Sequence, residues 1–180
     1  LLRVDRPPVA STLRDLTEGA FQPVLDDPRP RERAADVTRL ILCSGKVYVD
    51  LVGREDYAAA QHAAIARIEE LYPFPYPELE KVMQGYPNLR EVIWLQEEPR
   101  NTGAWVFVSS RIRSLLPPGM ELTYIGRPKA ASPSEGSKRR HDVEQGRLLS
   151  AAVSELPKAN QNGAKPSGVK SKRSVPVNAS

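Results

Sequence analysis

Apolar residues along this chain fall into runs of two kinds. Leu40-Ile41-Leu42-Cys43, Ile65 to Ile68 and Val92-Ile93-Trp94-Leu95 are short and nearly unbroken. Such runs are expected of strands buried on both faces of a parallel sheet. Between them apolar residues recur at helical spacing. One set is Val47, Tyr48, Leu51 and Val52; another is Leu79, Val82, Met83 and Tyr86, with Pro77 suited to the first turn. A third runs from Ala104 through Phe107, Val108, Ile112 and Leu115 to Leu116, and is stopped by Pro117-Pro118-Gly119. After a strand at Glu121–Ile125, a last helix carries Leu149, Ala152, Val153 and Leu156 on one face. Strand and helix thus alternate four times from Arg39 to Leu156. The pattern predicts an α/β fold, a three-layer α/β/α arrangement around a mainly parallel sheet.

The strand predicted at Leu89–Leu95 is the centre of this plan. Its apolar run ends abruptly at Gln96, Glu97 and Glu98, and Pro99 forces its predecessor into an extended conformation. Gly103 then releases the chain into the third helix. A buried strand, a polar loop at its carboxyl end and a helix make half of a βαβ unit, and ligands bind at that carboxyl edge.

The flanks read differently. Residues 1–36 hold Pro7, Pro8, Pro23, Pro28 and Pro30, which break up any long element. Ser11 can cap a short turn carrying Leu13 and Leu16, and Phe21–Leu25 can form a brief strand. This segment is expected to be a connecting arm lying on a neighbouring domain, followed by one domain at 37–156. Beyond Pro157 the chain turns to Lys, Ser, Asn, Pro and Gly, a composition expected to be disordered. Beginning at Leu1-Leu2-Arg3 without Met, the sequence reads as the carboxyl-terminal piece of something longer.

With 180 residues, 40% hydrophobic and 27% charged, the composition is that of an ordinary soluble domain. No apolar segment approaches the ~18 residues of a membrane span. The formal net charge of +4 is more than accounted for by the tail, where Lys158, Lys165, Lys170, Lys172 and Arg173 meet no acidic residue. The folded part is then near balance, which argues against nucleic-acid binding. The single cysteine, Cys43, lies in an apolar run and reads as a buried inert thiol.

Three loops are expected to meet on the carboxyl edge of the sheet, carrying Ser44-Gly45-Lys46, Gln96 to Arg100, and Gly126-Arg127. The first opens onto a helix amino-terminus, which favours an anion. Ser44, Lys46, Gln96, Arg100 and Arg127 are the candidate residues for a phosphate-bearing ligand. The competing expectation is that Glu97 and Glu98 pair with these cations across a domain interface. Ser-Gly-Lys is no P-loop, because the upstream glycine is missing and Val47 stands where Ser or Thr would hold magnesium. His62 and His141 have no partner motif. Trp94 and Trp105 read as core or interface aromatics. No self-contained active site emerges, and no catalytic residue is assigned.

Several ordered motifs resemble a known family. They are Leu42-Cys43-Ser44-Gly45-Lys46-Val47-Tyr48, Arg67-Ile68-Glu69-Glu70-Leu71-Tyr72-Pro73-Phe74-Pro75, and Gln96-Glu97-Glu98-Pro99 with Asn101, Gly103, Ala104 and Trp105. Gly126-Arg127-Pro128 follows, then Ala131-Ser132-Pro133 and Gly136. Together they look like the thiamine-diphosphate component of 2-oxoglutarate dehydrogenase, and the resemblance covers Leu1 to about Val153. It implies a transketolase carboxyl-terminal-like fold of five strands, one antiparallel and supplied by Phe21–Leu25. It also implies a bacterial, cytoplasmic homodimer of the tricarboxylic acid cycle. That enzyme decarboxylates 2-oxoglutarate on thiamine diphosphate and Mg2+ and passes the succinyl group to the lipoyl arm of a dihydrolipoyl succinyltransferase. Cofactor and metal would be held by upstream domains, and this chain alone would be inactive. In several members the domain borders a nucleotide or acetyl-CoA effector site, and Lys46, Gln96 and Arg127 are the motif positions on the edge loops. AMP or acetyl-CoA is then the expected effector. The alternative is a standalone nucleotide- or acetyl-CoA-binding module without enzymatic activity.

Overall fold

The computed structural model describes residues 10–29 and 31–154. The tail expected to be disordered, and Leu156 of the last helical face, lie outside these residues. Five strands form one sheet in the order β1-β3-β2-β4-β5. They are β1 (Val24–Leu25), β2 (Arg39–Cys43), β3 (Ala63–Ile68), β4 (Glu91–Pro99) and β5 (Leu122–Arg127). All pairings are parallel except β1 with β3, where Val24 faces Ile68 and Leu25 faces Arg67. The antiparallel strand therefore comes from the arm, as the resemblance implied, but it spans only Val24–Leu25 of the expected Phe21–Leu25.

The helices cover both faces. Alternation along β2 turns Leu40 and Leu42 to one side, and Ile41 and Cys43 to the other. The first side packs Ala64, Ala66, Ile68, Val92 and Trp94 against α4 (Tyr76–Gln84) and α5 (Trp105–Leu115). The second packs Ala63, Ile65 and Leu95 against α2 (Lys46–Val52), α3 (Glu55–Ala59) and α6 (Lys138–Val153). This accounts for the unbroken apolar runs, since every position of β2 is buried. Among the described residues, no helix is long and apolar enough to cross a membrane.

Several details differ from the sequence reading. Helix α2 ends at Val52, and a separate short helix, α3, follows Gly53 and buries Tyr57. The arm's helix α1 (Leu13–Thr17) is capped by Thr12, not Ser11. Thr12 and Asp15 form a reciprocal capping box that Ser11, one residue too early, cannot complete. Strand β4 does not stop at Leu95. It continues through a bulge to Pro99, which pairs with Arg127, because β5 itself runs two residues past Ile125. The supposed loop Gln96–Pro99 is therefore sheet edge, where a bulge tolerates proline.

The arm's second half is built into the domain. Asp27 is buried and accepts hydrogen bonds from Arg29 Nη2 at 2.8 Å, Tyr57 Oη at 2.9 Å and the Ile65 backbone at 3.0 Å. Arg29 and Arg33 donate onward to the Ala60 and Ala63 carbonyls at the start of β3. At the same amino-terminal end of the sheet, where Arg39 faces Ala63 in register, Arg39 Nε donates to Glu91 at 2.9 Å and Nη1 to the Ala152 carbonyl at 3.1 Å, fixing the end of α6.

Candidate functional site

The carboxyl ends of β2, β4 and β5 open onto a cleft of about 610 Å³ beside the amino-terminal turns of α6. Lys46, Glu97, Arg127, Glu135, Lys138 and His141 are among the residues lining it. Of the five predicted ligand residues, only Lys46 and Arg127 face this space.

Gln96 is placed elsewhere, and for a clear reason. Side chains two apart on a strand share a face, so Gln96 follows Trp94 to the side of the sheet that carries α5. Its Oε1 accepts the Trp94 indole N–H at 2.8 Å and the Trp105 backbone N–H at 3.1 Å. Its Nε2 donates to the Glu98 and Pro99 carbonyls, each at 3.2 Å. Both partners of Oε1 are pure donors, which fixes the amide's orientation. Ala104 has no side chain able to cap α5, and Gln96 supplies that function from the neighbouring strand. The motif's glycine has a related cause: a Cβ on Gly103 would lie 2.4 Å from Gln96 Nε2. Thr102, adjoining it, donates its hydroxyl to the Pro99 carbonyl at 3.2 Å. With its amide fully engaged, Gln96 has nothing to offer a ligand.

Arg100 is exposed and lies over the rings of Trp105 and Tyr124, at 5.4 and 5.0 Å from their centroids. Ser44 is half-buried between β2 and α2 and does not line the cleft. Both tryptophans are buried core residues. Cys43 is fully buried, and burial pushes its thiol up to about 12.

The two cations in the cleft are not bare. Lys46 Nζ contacts the Asp50 carboxylate one turn along α2 and lies 3.6 Å from Glu97 Oε2. Burial lowers the Lys46 pKa, but the Asp50 hydrogen bond and the Glu97 and Asp50 charges outweigh it and hold it above its ordinary value. Gln145 of α6 bridges the same two acids, donating to Asp50 at 3.0 Å and Glu97 at 3.3 Å. Arg127 is nearly buried. Its Nη2 lies 2.8 Å from His141 Nδ1, and its Nε lies 3.3 Å from Glu135 Oε1. Arginine can only donate, so Nδ1 accepts and the imidazole proton is assigned to Nε2. Glu135 Oε2 also meets Arg140 Nε at 3.0 Å.

Asp50 stands four residues after Lys46, a spacing that predicts a helical ion pair. Glu135, His141 and Gln145 carried no such signal, because they reach the site only through the packing of α6. Of the two acids expected to neutralise the cations, Glu97 meets Lys46 within this chain, whereas Arg127 is matched by Glu135. Among the described residues no group of three or more His, Cys, Asp or Glu is placed to hold a metal ion.

The 2-oxoglutarate dehydrogenase C-terminal family model matches residues 10–153. The chain belongs to that family. A 2-oxoglutarate dehydrogenase E1 component from Shouchella clausii is 44% identical over 150 residues, 81% of this chain and 16% of that protein. One from Cupriavidus necator is 42% identical over 146 residues, covering 81% and 15%. The Bacillus subtilis protein of the same name is 40% identical over 151 residues, covering 82% and 16%. The chain thus spans about one sixth of the length of the 2-oxoglutarate dehydrogenase E1 components it matches. The residues that carried the resemblance divide between two tasks. Gln96, Gly103 and Trp105 lock β4 to α5, while Lys46 and Arg127 stand in the cleft.

Proposed function

We propose that this chain is the carboxyl-terminal domain of a bacterial, cytoplasmic 2-oxoglutarate dehydrogenase E1 component, and that its own work is assembly and effector response. The observation that carries the reading is the 44% identity over 150 residues to an E1 component of which those residues are only 16%. The full-length protein is a homodimer that oxidatively decarboxylates 2-oxoglutarate and delivers succinyl groups to the lipoyl arm of a dihydrolipoyl succinyltransferase. Thiamine diphosphate and Mg2+ are held by the rest of the protein. Residues of this chain contribute to no chemical step.

The cleft at the carboxyl edge is the effector site, and Lys46 and Arg127 are the groups that meet the phosphate of AMP or acetyl-CoA. The support is geometric: two cations from separate strand ends face one space, and Arg127 presents a planar fork suited to phosphate. Calorimetric titration of AMP and acetyl-CoA into the full-length dimer, and into its Lys46→Ala/Arg127→Ala variant, tests this. Binding to the native dimer that is lost in the variant is expected. Undiminished binding by the variant, or none by either form, would make both residues internal ion-pair partners only.

A further inference from the structure

We propose that Glu135 is a built-in competitor at the anion site, an internal carboxylate that an incoming phosphate must displace from Arg127. The inference rests on the reading of the cleft as an effector site and concerns how that site is regulated.

Every cation on the cleft wall already has a carboxylate. Lys46 has Asp50 and Glu97, Lys138 has Asp142 at 2.6 Å, and Arg127 and Arg140 share Glu135. A phosphate entering the cleft gains little unless one of these acids leaves. Asp50 and Glu97 cannot leave readily, since they sit on α2 and β4 and Gln145 holds both. Glu135 differs. It lies on the segment between β5 and α6, next to Gly136, whose φ of 72° is a conformation that glycine adopts freely.

That segment is fixed at both ends. Asn101 and Ala130 exchange two hydrogen bonds of 3.0 Å, pinning its start to the turn before α5. Ser137 caps α6 at its finish, accepting from the Arg140 backbone at 3.3 Å. Between these pins the segment reaches back to the sheet through the Glu135 carboxylate. Its two oxygens bridge two arginines, at 3.3 Å to Arg127 and 3.0 Å to Arg140, as two oxygens of a phosphate would. His141 holds Arg127 from the other side, so the guanidinium stays in place when Glu135 swings out. The apparent affinity of such a site is the intrinsic affinity reduced by the fraction of time the competitor is absent. A Glu135 seated about nine-tenths of the time weakens anion binding about tenfold.

The test is calorimetric titration of AMP, with adenosine as the phosphate-free control, into the full-length protein and its Glu135→Gln variant. AMP is expected to bind the variant about tenfold more tightly, while any adenosine binding is equal in the two forms. Hydrogen exchange supplies a readout that needs no variant: AMP should accelerate exchange of the amides between 131 and 136 in the native protein. AMP that binds native protein and variant equally, or the variant more weakly, overturns the competitor and leaves the anion site standing. So does slowed or unchanged exchange on AMP binding. If neither form binds AMP or inorganic phosphate, the anion site itself is wrong and the competitor falls with it.

Discussion

The side-chain oxygen of Gln96 accepts the backbone N–H of Trp105 across 3.1 Å, nine residues further along the chain. One strand residue thereby caps the helix that follows it and also holds the Trp94 indole N–H. The Gln96-Glu97-Glu98-Pro99 and Gly103-Ala104-Trp105 segments meet at this amide, and no ligand is needed to hold them together.

Gln96→Leu removes the acceptor from two buried donors, and each such group left unsatisfied costs about 1–3 kcal/mol. A loss of about 2–4 kcal/mol is expected in urea unfolding of the purified chain. Gly103→Ala, whose Cβ meets the same amide, is expected to cost about 1–3 kcal/mol. If Gln96→Leu left the urea midpoint unchanged, the amide would not be the lock described.

Asp27 predicts an acid limb of stability. Burial raises its pKa, but the hydrogen bonds and charge from Arg29, and the Tyr57 hydroxyl, outweigh burial and hold it below its ordinary 3.8. A carboxyl depressed on folding stabilises fully above its unfolded value, and this contribution is lost as pH falls through the folded value. Native stability should therefore drop below about pH 4 with a slope that Asp27→Asn reduces. Near neutral pH the same variant leaves Arg29 and Arg33 without their shared acid, and breaking such a buried pair costs about 3–5 kcal/mol. Urea midpoints from pH 7 to 3 on both proteins measure slope and offset together. Parallel curves would remove Asp27 from the acid response.

Cys43 should be silent to thiol reagents in the folded protein. It is fully buried, and burial pushes its pKa up to about 12, so thiolate is scarce at pH 8. A chromogenic disulfide at pH 8 is expected to modify one thiol per chain in denaturant and none over the same time in buffer. Rapid reaction in buffer would contradict the burial of β2.

The division of labour proposed for the E1 component gives a kinetic expectation. With thiamine diphosphate, Mg2+ and 2-oxoglutarate, this chain alone should show no decarboxylation. In the full-length enzyme Arg127→Ala should weaken the response to AMP or acetyl-CoA while nearly preserving turnover at saturating substrate. Turnover by the isolated chain would overturn the division. Equal loss of basal turnover and response would mark Arg127 as structural support.

The amino-acid sequence by itself determined the layer plan, the burial of Cys43 and the kinship. Runs such as Leu40–Cys43 and Val92–Leu95, and helical spacings such as Leu79–Val82–Met83, are local periodicities, and local geometry alone turns them into strands and helices. The kinship was legible because its motifs are contiguous strings. Only the tertiary structure decided what the polar residues do. Gln96 looked like a ligand group because a strand's end is open unless β5 extends beside it, and Arg127 had to pair with Pro99 to close it. Arg127 was expected to meet either a phosphate or Glu97 and Glu98, because Glu135 and His141 come to it only through the seating of α6. Asp27 is buried by partners, Tyr57 and Ile65, that lie 30 and 38 positions away. Hydrophobic periodicity repeats within a few residues and survives in the sequence. The pairing of charges and amides is fixed by which segments the sheet brings side by side, and that information is not local.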